Sequence, residues 1–263
     1  MIKKNSLFFK YIRKFIYIFS PEIRTAVYTQ KFIDKPTGKN ILVISPHFDD
    51  EIIGCGGTLV KHVQSGDKVA VVYLTDGTNG IPNIKNKKVV NRIRKKESIE
   101  ALKVIGIKKY YFLDEIDGSL KIKKKTIKSL LKIFYDIQPD LVYLPWFLDN
   151  HVDHVKANKV LLQICNNYGF NFNVCAYEVW TPLIPNIIVD IGKVFGIKKK
   201  ALLCFKSQLK YTDYLSITSG LNKYRTIYNL DGKSYAEAFL YLPAIEYFNL
   251  FMLEGGVKWL NLR

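Results

Sequence analysis

Cysteine is scarce in this chain, and acid is outnumbered by base. Cys55, Cys165, Cys175 and Cys204 form no C-x-x-C pair. Their spacing excludes a zinc ribbon and a disulfide-framework fold, and it fits a reducing, cytoplasmic compartment. No run reaches the roughly 18 uncharged apolar residues of a spanning helix. Glycine is present, but "GCGG" at 54–57 lacks the G-x-G-x-x-G spacing, which argues against a dinucleotide site. Asp and Glu number 23 against 40 Lys and Arg, a formal charge of +17. That excess points to an anionic partner, such as a phosphorylated small molecule or a phospholipid surface, or to a plain lysine-rich coat. The lysines are scattered and form no basic stripe interleaved with aromatics, so nucleic acid is not expected as a partner.

What is there is a core: 48% of the residues are hydrophobic. Short apolar runs at 40–45, 68–75, 109–114, 140–146 and 172–180 read as strands. Helical patterns lie between them at about 54–65, 89–105, 121–137 and 154–167. Near-continuous apolar strands separated by helices predict an α/β fold: a Rossmann-like, doubly wound, mostly parallel sheet with helices on both faces. Residues 39–180 read as the core and 181–263 as a C-terminal extension packed on it. Within that extension, 196–228 reads as helical, and the stretch around 234–251 as helix up to a break at Pro243. Residues 1–38 form a basic, aromatic N-terminal segment, and 1–20 read as able to lie on an anionic membrane at its inner face, or to pack on the domain.

Three of the four histidines fall in two short stretches. "SPHFDDE" follows the first core strand, placing His47, Asp49, Asp50 and Glu51 at the carboxyl edge of the sheet, where ligands bind in such folds. "DNHVDH" follows the fourth, with His151, Asp153 and His154. Consecutive acids repel unless a cation compensates them. If the two strands are neighbours, His47, Asp50 and His154 supply three ligands and leave a position for water, as in catalytic zinc sites. The fourth histidine, His62, reads as a surface helix residue. Gly54, Gly56 and Gly57 read as permitting a close approach of the helix. Asp153 is also a candidate N-cap. Asp76 reads as a turn residue or pocket wall, and Trp146 and Trp180 as core residues or sugar-stacking platforms.

The two motifs in this order resemble the PIG-L/LmbE-like family of zinc-dependent N-deacetylases, over roughly residues 39–180. The resemblance implies Zn2+, or another divalent metal, on His47, Asp50 and His154. It implies Asp49 as general base, His151 as oxyanion stabiliser and proton donor, and Asp153 as the residue orienting His151. "RKKE" at 94–97 resembles an Arg-x-x-Glu element of the family, which makes Arg94 a candidate substrate contact. Phe48 stands where the family usually has proline, and is expected to alter the turn or line the pocket. The implied activity is removal of acetyl from an amino sugar carried on phosphate, nucleotide or lipid. Two alternatives are a deacylase of another amide or ester, as in antibiotic tailoring, and a non-catalytic binding protein.

Overall fold

The computed structural model describes residues 30–255. The 1–20 segment expected at a membrane lies outside them. Among the described residues no helix is long and apolar enough to cross a membrane.

Among the described residues eight strands form one sheet: β1 (Lys31–Ile33), β2 (Asn40–Ser45), β3 (Lys68–Thr75), β4 (Lys109–Glu115), β5 (Leu141–Pro145), β6 (Asn173–Tyr177), β7 (Ile187–Asp190) and β8 (Ala236–Pro243). Their spatial order is β1-β7-β8-β6-β5-β2-β3-β4. All neighbours are parallel except β8, which runs antiparallel between β6 and β7. The helices are α1 (Asp50–Gln64), α2 (Lys87–Val104), α3 (Lys124–Ile137), α4 (Val152–Tyr168), α5 (Phe195–Leu202), α6 (Lys206–Leu209), α7 (Tyr214–Tyr224), α8 (Ile227–Leu230) and α9 (Ala244–Gly255).

Strand residues alternate between two cores, as the period of two requires. Ile41 and Val43 join Leu59, Leu102 and Leu202 on one face, under α1, α2 and α5. Leu42 and Ile44 join Phe134, Leu161 and Phe248 on the other, under α3, α4 and α9. Both faces are covered, so the strands read as unbroken apolar runs.

Two expectations are corrected. "AEAFLYLP" at 236–243 is a strand, not a helix; the helix starts after Pro243. A short apolar run buried on both sides carries no period to separate the two states. His62 is buried, not on the surface. Its Nδ1 lies 2.9 Å from Asp67 Oδ2 and its Nε2 2.9 Å from the Tyr143 hydroxyl.

The burial of α1 continues around the helix. A Cβ on Gly54 would stand 2.2 Å from the Tyr177 ring and 2.8 Å from the Glu178 carbonyl, so only glycine allows this approach. Lys198 of α5 is fully buried behind the same helix. Its Nζ donates to Ile53 O at 2.8 Å, Asn222 Oδ1 at 2.9 Å and Glu237 Oε1 at 2.6 Å. Glu237 also accepts the Gly57 and Thr58 N–H groups at 2.8 and 2.7 Å. A buried ion pair with every donor matched holds α1 against the last third of the chain; breaking it would leave a charge without water or partner.

Burial pulls the His62 pKa below its ordinary value, although the Asp67 carboxylate opposes this. The unfolded chain therefore binds a proton that the folded one refuses, and stability falls as pH drops below about 6.5. Between pH 7.5 and 5.5 in urea unfolding, wild-type stability is expected to fall relative to that of His62→Gln, whose baseline is lower by about 1–3 kcal/mol. Equal pH slopes in the two proteins would contradict the assignment.

Candidate active site

Strand β2 pairs with β3 on one side and β5 on the other, so the chain reverses direction across the sheet at β2. The loops after β2 and β5 meet at that switch point, where a crevice opens. A cleft of about 180 Å³ lies there, lined by His47, Asp49, Asp50, Arg94, Asp117, His151, Trp180, Gln208 and Tyr214, among others.

Asp49 caps α1 in position, and Asp50 is in the helix's first turn. Asp50 Oδ2 accepts the His47 backbone N–H at 2.8 Å. The same oxygen lies 3.0 Å from His47 Nδ1 and 3.1 Å from His154 Nε2. The two nitrogens are 3.2 Å apart. Tetrahedral bonds of 2.0–2.1 Å space their ligand atoms by about 3.3 Å. The three donor atoms are therefore already nearly at the spacing one zinc-type ion requires.

The charges agree with that fit. Burial opposes charge on His47, but Asp50, Asp117 and Asp153 outweigh it and hold its pKa well above the usual value. His154 is likewise raised by Asp50 and Asp149 against burial. Burial alone would raise Asp50; the His154 and His47 charges win and hold it well below the carboxylate range. A cluster that gathers protons in this way offers the same field to a divalent cation.

His47 with His151 and His154 could also hold an ion, and so could a further grouping, His47 with Asp117 and Asp153. It surrounds the opposite nitrogen, His47 Nε2, at 3.3 and 3.5 Å. Its carboxylates are already committed. Asp153 takes the Gly118 and Leu120 N–H groups at 2.7 and 2.9 Å, and Asp117 takes the Asn79 N–H at 3.0 Å. They serve better as acceptors that fix the His47 ring, the usual arrangement behind a metal-ligating histidine. Asp149 stands in the same relation to His154, with Oδ1 3.2 Å from Nδ1.

Glu51 steadies the loop from below. Ser45 has one hydroxyl proton but two oxygens in reach, His47 O at 2.6 Å and Glu51 Oε2 at 2.9 Å. Burial pushes the Glu51 pKa up to about 8. A protonated Glu51 resolves the count: it donates to Ser45, and Ser45 donates to His47 O.

Arg94 lines the cleft as expected, but other expected site residues lie elsewhere than predicted. Arg94 is buried beside the base: Nη2 is 3.2 Å from Asp49 Oδ2 and Nη1 donates to Gly77 O at 3.1 Å. Phe48 does not line the cleft; it is fully buried, edge-on to Tyr73 and Phe112. Trp146 is buried among core residues and does not line the cleft. Asp76 is not pocket wall; it accepts the Thr78 and Asp117 N–H groups at 3.1 and 3.2 Å and so shapes the Asp117 loop. The N-cap of α4 is His151, not Asp153. The Asp153 carboxylate faces His47; its backbone N–H, at 3.2 Å, is what meets His151 Nδ1.

Residues missed from sequence are Asp117, Asp149, Gln208 and Tyr214. Asp117 and Asp149 carried a signal, since both follow strands at the carboxyl edge. Gln208 and Tyr214 carried none. Glu97 explains the second half of the Arg-x-x-Glu pattern: it accepts the Ser207 N–H and hydroxyl at 2.7 and 2.6 Å, seating α6 beside the cleft.

A mostly parallel sheet with paired histidine–carboxylate loops at its switch point is the layout of an α/β protein with a candidate metal centre. Residues 42–165 match the family model PIG-L: GlcNAc-PI de-N-acetylase, a similarity to the PIG-L/LmbE-like deacetylases. It is 28% identical over 226 residues, 79% of this chain and 84% of the relative, to diacetylchitobiose deacetylase of Thermococcus kodakarensis. It is 25% identical over 198 residues, 67% of this chain and 76% of the relative, to 4-oxalmesaconate hydratase of Pseudomonas putida. The fold is similar to the solved structure of N,N'-diacetylchitobiose deacetylase from Pyrococcus horikoshii, with TM-score 0.69, 24% identity, and coverage of 94% of this chain and 96% of that one.

Asp149 joins three parts of the site, since it also accepts the His151 N–H and the Trp180 N–H, both at 2.9 Å. Asp149→Ala is expected to weaken zinc binding about 10–100-fold, read by competition with a chromophoric chelator. Unchanged affinity would remove Asp149 from the metal's support.

Proposed function

We propose that this chain is a metal-dependent N-deacetylase that releases acetate from an N-acetylated amino sugar. The observation that carries the reading is the trio of donor atoms on His47, Asp50 and His154, mutually 3.0–3.2 Å apart, with the Asp49 carboxylate, outside the trio, in the same cleft. His47, Asp50 and His154 would hold a zinc-type ion, which would supply Lewis acidity toward the acetyl carbonyl and a water. Asp49 is the base. Burial raises its pKa, Arg94 pulls it back, and the result is a carboxylate more basic than usual yet held in place. It takes the proton of the attacking water.

His151 acts on the other side. Its Nδ1 accepts the Asp153 N–H, so in the neutral ring the proton is on Nε2. Burial, together with the His47 and His154 charges, lowers its pKa and keeps it neutral at pH 7. An Nε2–H at the cleft stabilises a developing oxyanion. An amine leaves only when protonated, and Asp49, holding the proton it took, can deliver it. The similarity to a diacetylchitobiose deacetylase supports an amino-sugar amide as the substrate. The +17 charge supports a carrier bearing phosphate, nucleotide or anionic lipid, and a place at the inner face of a membrane.

Acetate release from zinc-loaded protein, screened on N-acetylglucosamine carried on saccharide, inositol, UDP and lipid, tests the reading. Asp49→Ala is expected to lower the rate at least about 10²-fold at unchanged zinc stoichiometry, His151→Ala to lower the rate with metal retained, and His154→Ala to lose metal. Hydration of 4-oxalmesaconate with no acetate from any sugar would contradict it.

A further inference from the structure

Trp180 and Tyr214 are aromatic residues of the cleft that no step of the chemistry uses. Trp180 is 49% exposed, unlike Trp146 at 4%. An exposed indole on a mobile loop would mean little, but this backbone is fixed on both sides. The Trp180 N–H donates to Asp149 Oδ2 at 2.9 Å, and the Asn150 N–H donates to Thr181 Oγ1 at 3.1 Å. Two residues earlier, Glu178 pairs with Arg225, which also donates to Leu183 O at 2.9 Å. Tyr214 packs edge-on against the indole, with ring centroids 6.1 Å apart. Tyr214 is fixed in turn at the first position of α7, where Asp213 accepts the Ser216 N–H at 3.0 Å.

The connection to the chemistry runs through one residue. Asp149 faces the imidazole of His154 with Oδ1 and holds the backbone of Trp180 with Oδ2. The Trp180 backbone is thus tied through Asp149 to one member of the ligand trio. The cleft of about 180 Å³ is small for anything beyond one sugar ring. A second ring must lie at the rim, where Trp180 offers an apolar face. Pyranose rings present a face of C–H bonds, and a rigid indole covers such a face at little entropic cost.

We propose that Trp180, backed by Tyr214, is the stacking platform for a second sugar ring bonded to the acetamido sugar, and so selects oligosaccharide over monosaccharide substrates. This rests on the deacetylase reading above for its consequence in turnover, but not for binding. In zinc-loaded protein, Trp180→Ala is expected to reduce the preference for N,N′-diacetylchitobiose over N-acetylglucosamine, as a ratio of kcat/KM, by about tenfold, with the loss in KM; Trp180→Phe should retain most of it. An unchanged ratio in the alanine variant overturns the platform. Quenching of tryptophan emission by N,N′-diacetylchitobiose, present in wild type and absent in Trp180→Ala, reads binding without turnover. Such quenching with no acetate release keeps the platform and removes the deacetylase reading. Acetate release with an unchanged ratio keeps that reading and removes the platform.

Discussion

Asp50 Oδ2 accepts the His47 N–H and faces imidazole nitrogens of His47 and His154 at 3.0 and 3.1 Å in a nearly dry site. A neutral imidazole has one proton for two nitrogens, yet both nitrogens of His47 and both of His154 face carboxylate oxygen. Either the rings are protonated or a cation sits among the three atoms. The rest of the site follows from satisfying that oxygen. Asp117 and Asp153 stand behind His47, and Asp149 behind His154, so each ring is held from the far side by carboxylate. Asp49 is left outside the trio, beside Arg94, where it is free to exchange a proton.

The fold delivers this geometry cheaply. His47 comes from the loop after β2 and His154 from the first turn of α4 after β5, on strands that are hydrogen-bonded neighbours. Helix α1 must then lie close against β6 for Asp50 to reach both rings. Gly54 permits that approach, and the buried Lys198–Glu237 pair holds it. The last third of the chain therefore does more than cover the sheet. It supplies β7 and β8, the lysine and glutamate behind α1, and the Gln208 and Tyr214 wall of the cleft.

Much of this was legible in the sequence for a physical reason. The core strands are buried on both faces, so their apolar runs stand out, and β2 and β3 begin and end where the pattern does. The histidines are few, so their placement after two strands carried information. Legibility failed where one residue type serves two ends. Phe48, Trp146 and Trp180 look alike in sequence, yet only Trp180 reaches the cleft, because burial is decided by neighbours far along the chain. His62 looked like a surface residue among Lys61 and Gln64, but α1 is covered on nearly every side. Residues 236–243 gave no period at all. Asp153 was placed by its nearness in sequence to His151, whereas its carboxylate turns the other way, to His47.

Anomalous diffraction at the zinc edge, from crystals of the zinc-loaded protein, addresses the shared oxygen most directly. The account predicts one strong peak bonded to His47 Nδ1, Asp50 Oδ2 and His154 Nε2. A peak on His47 Nε2, between Asp117 and Asp153, would contradict it.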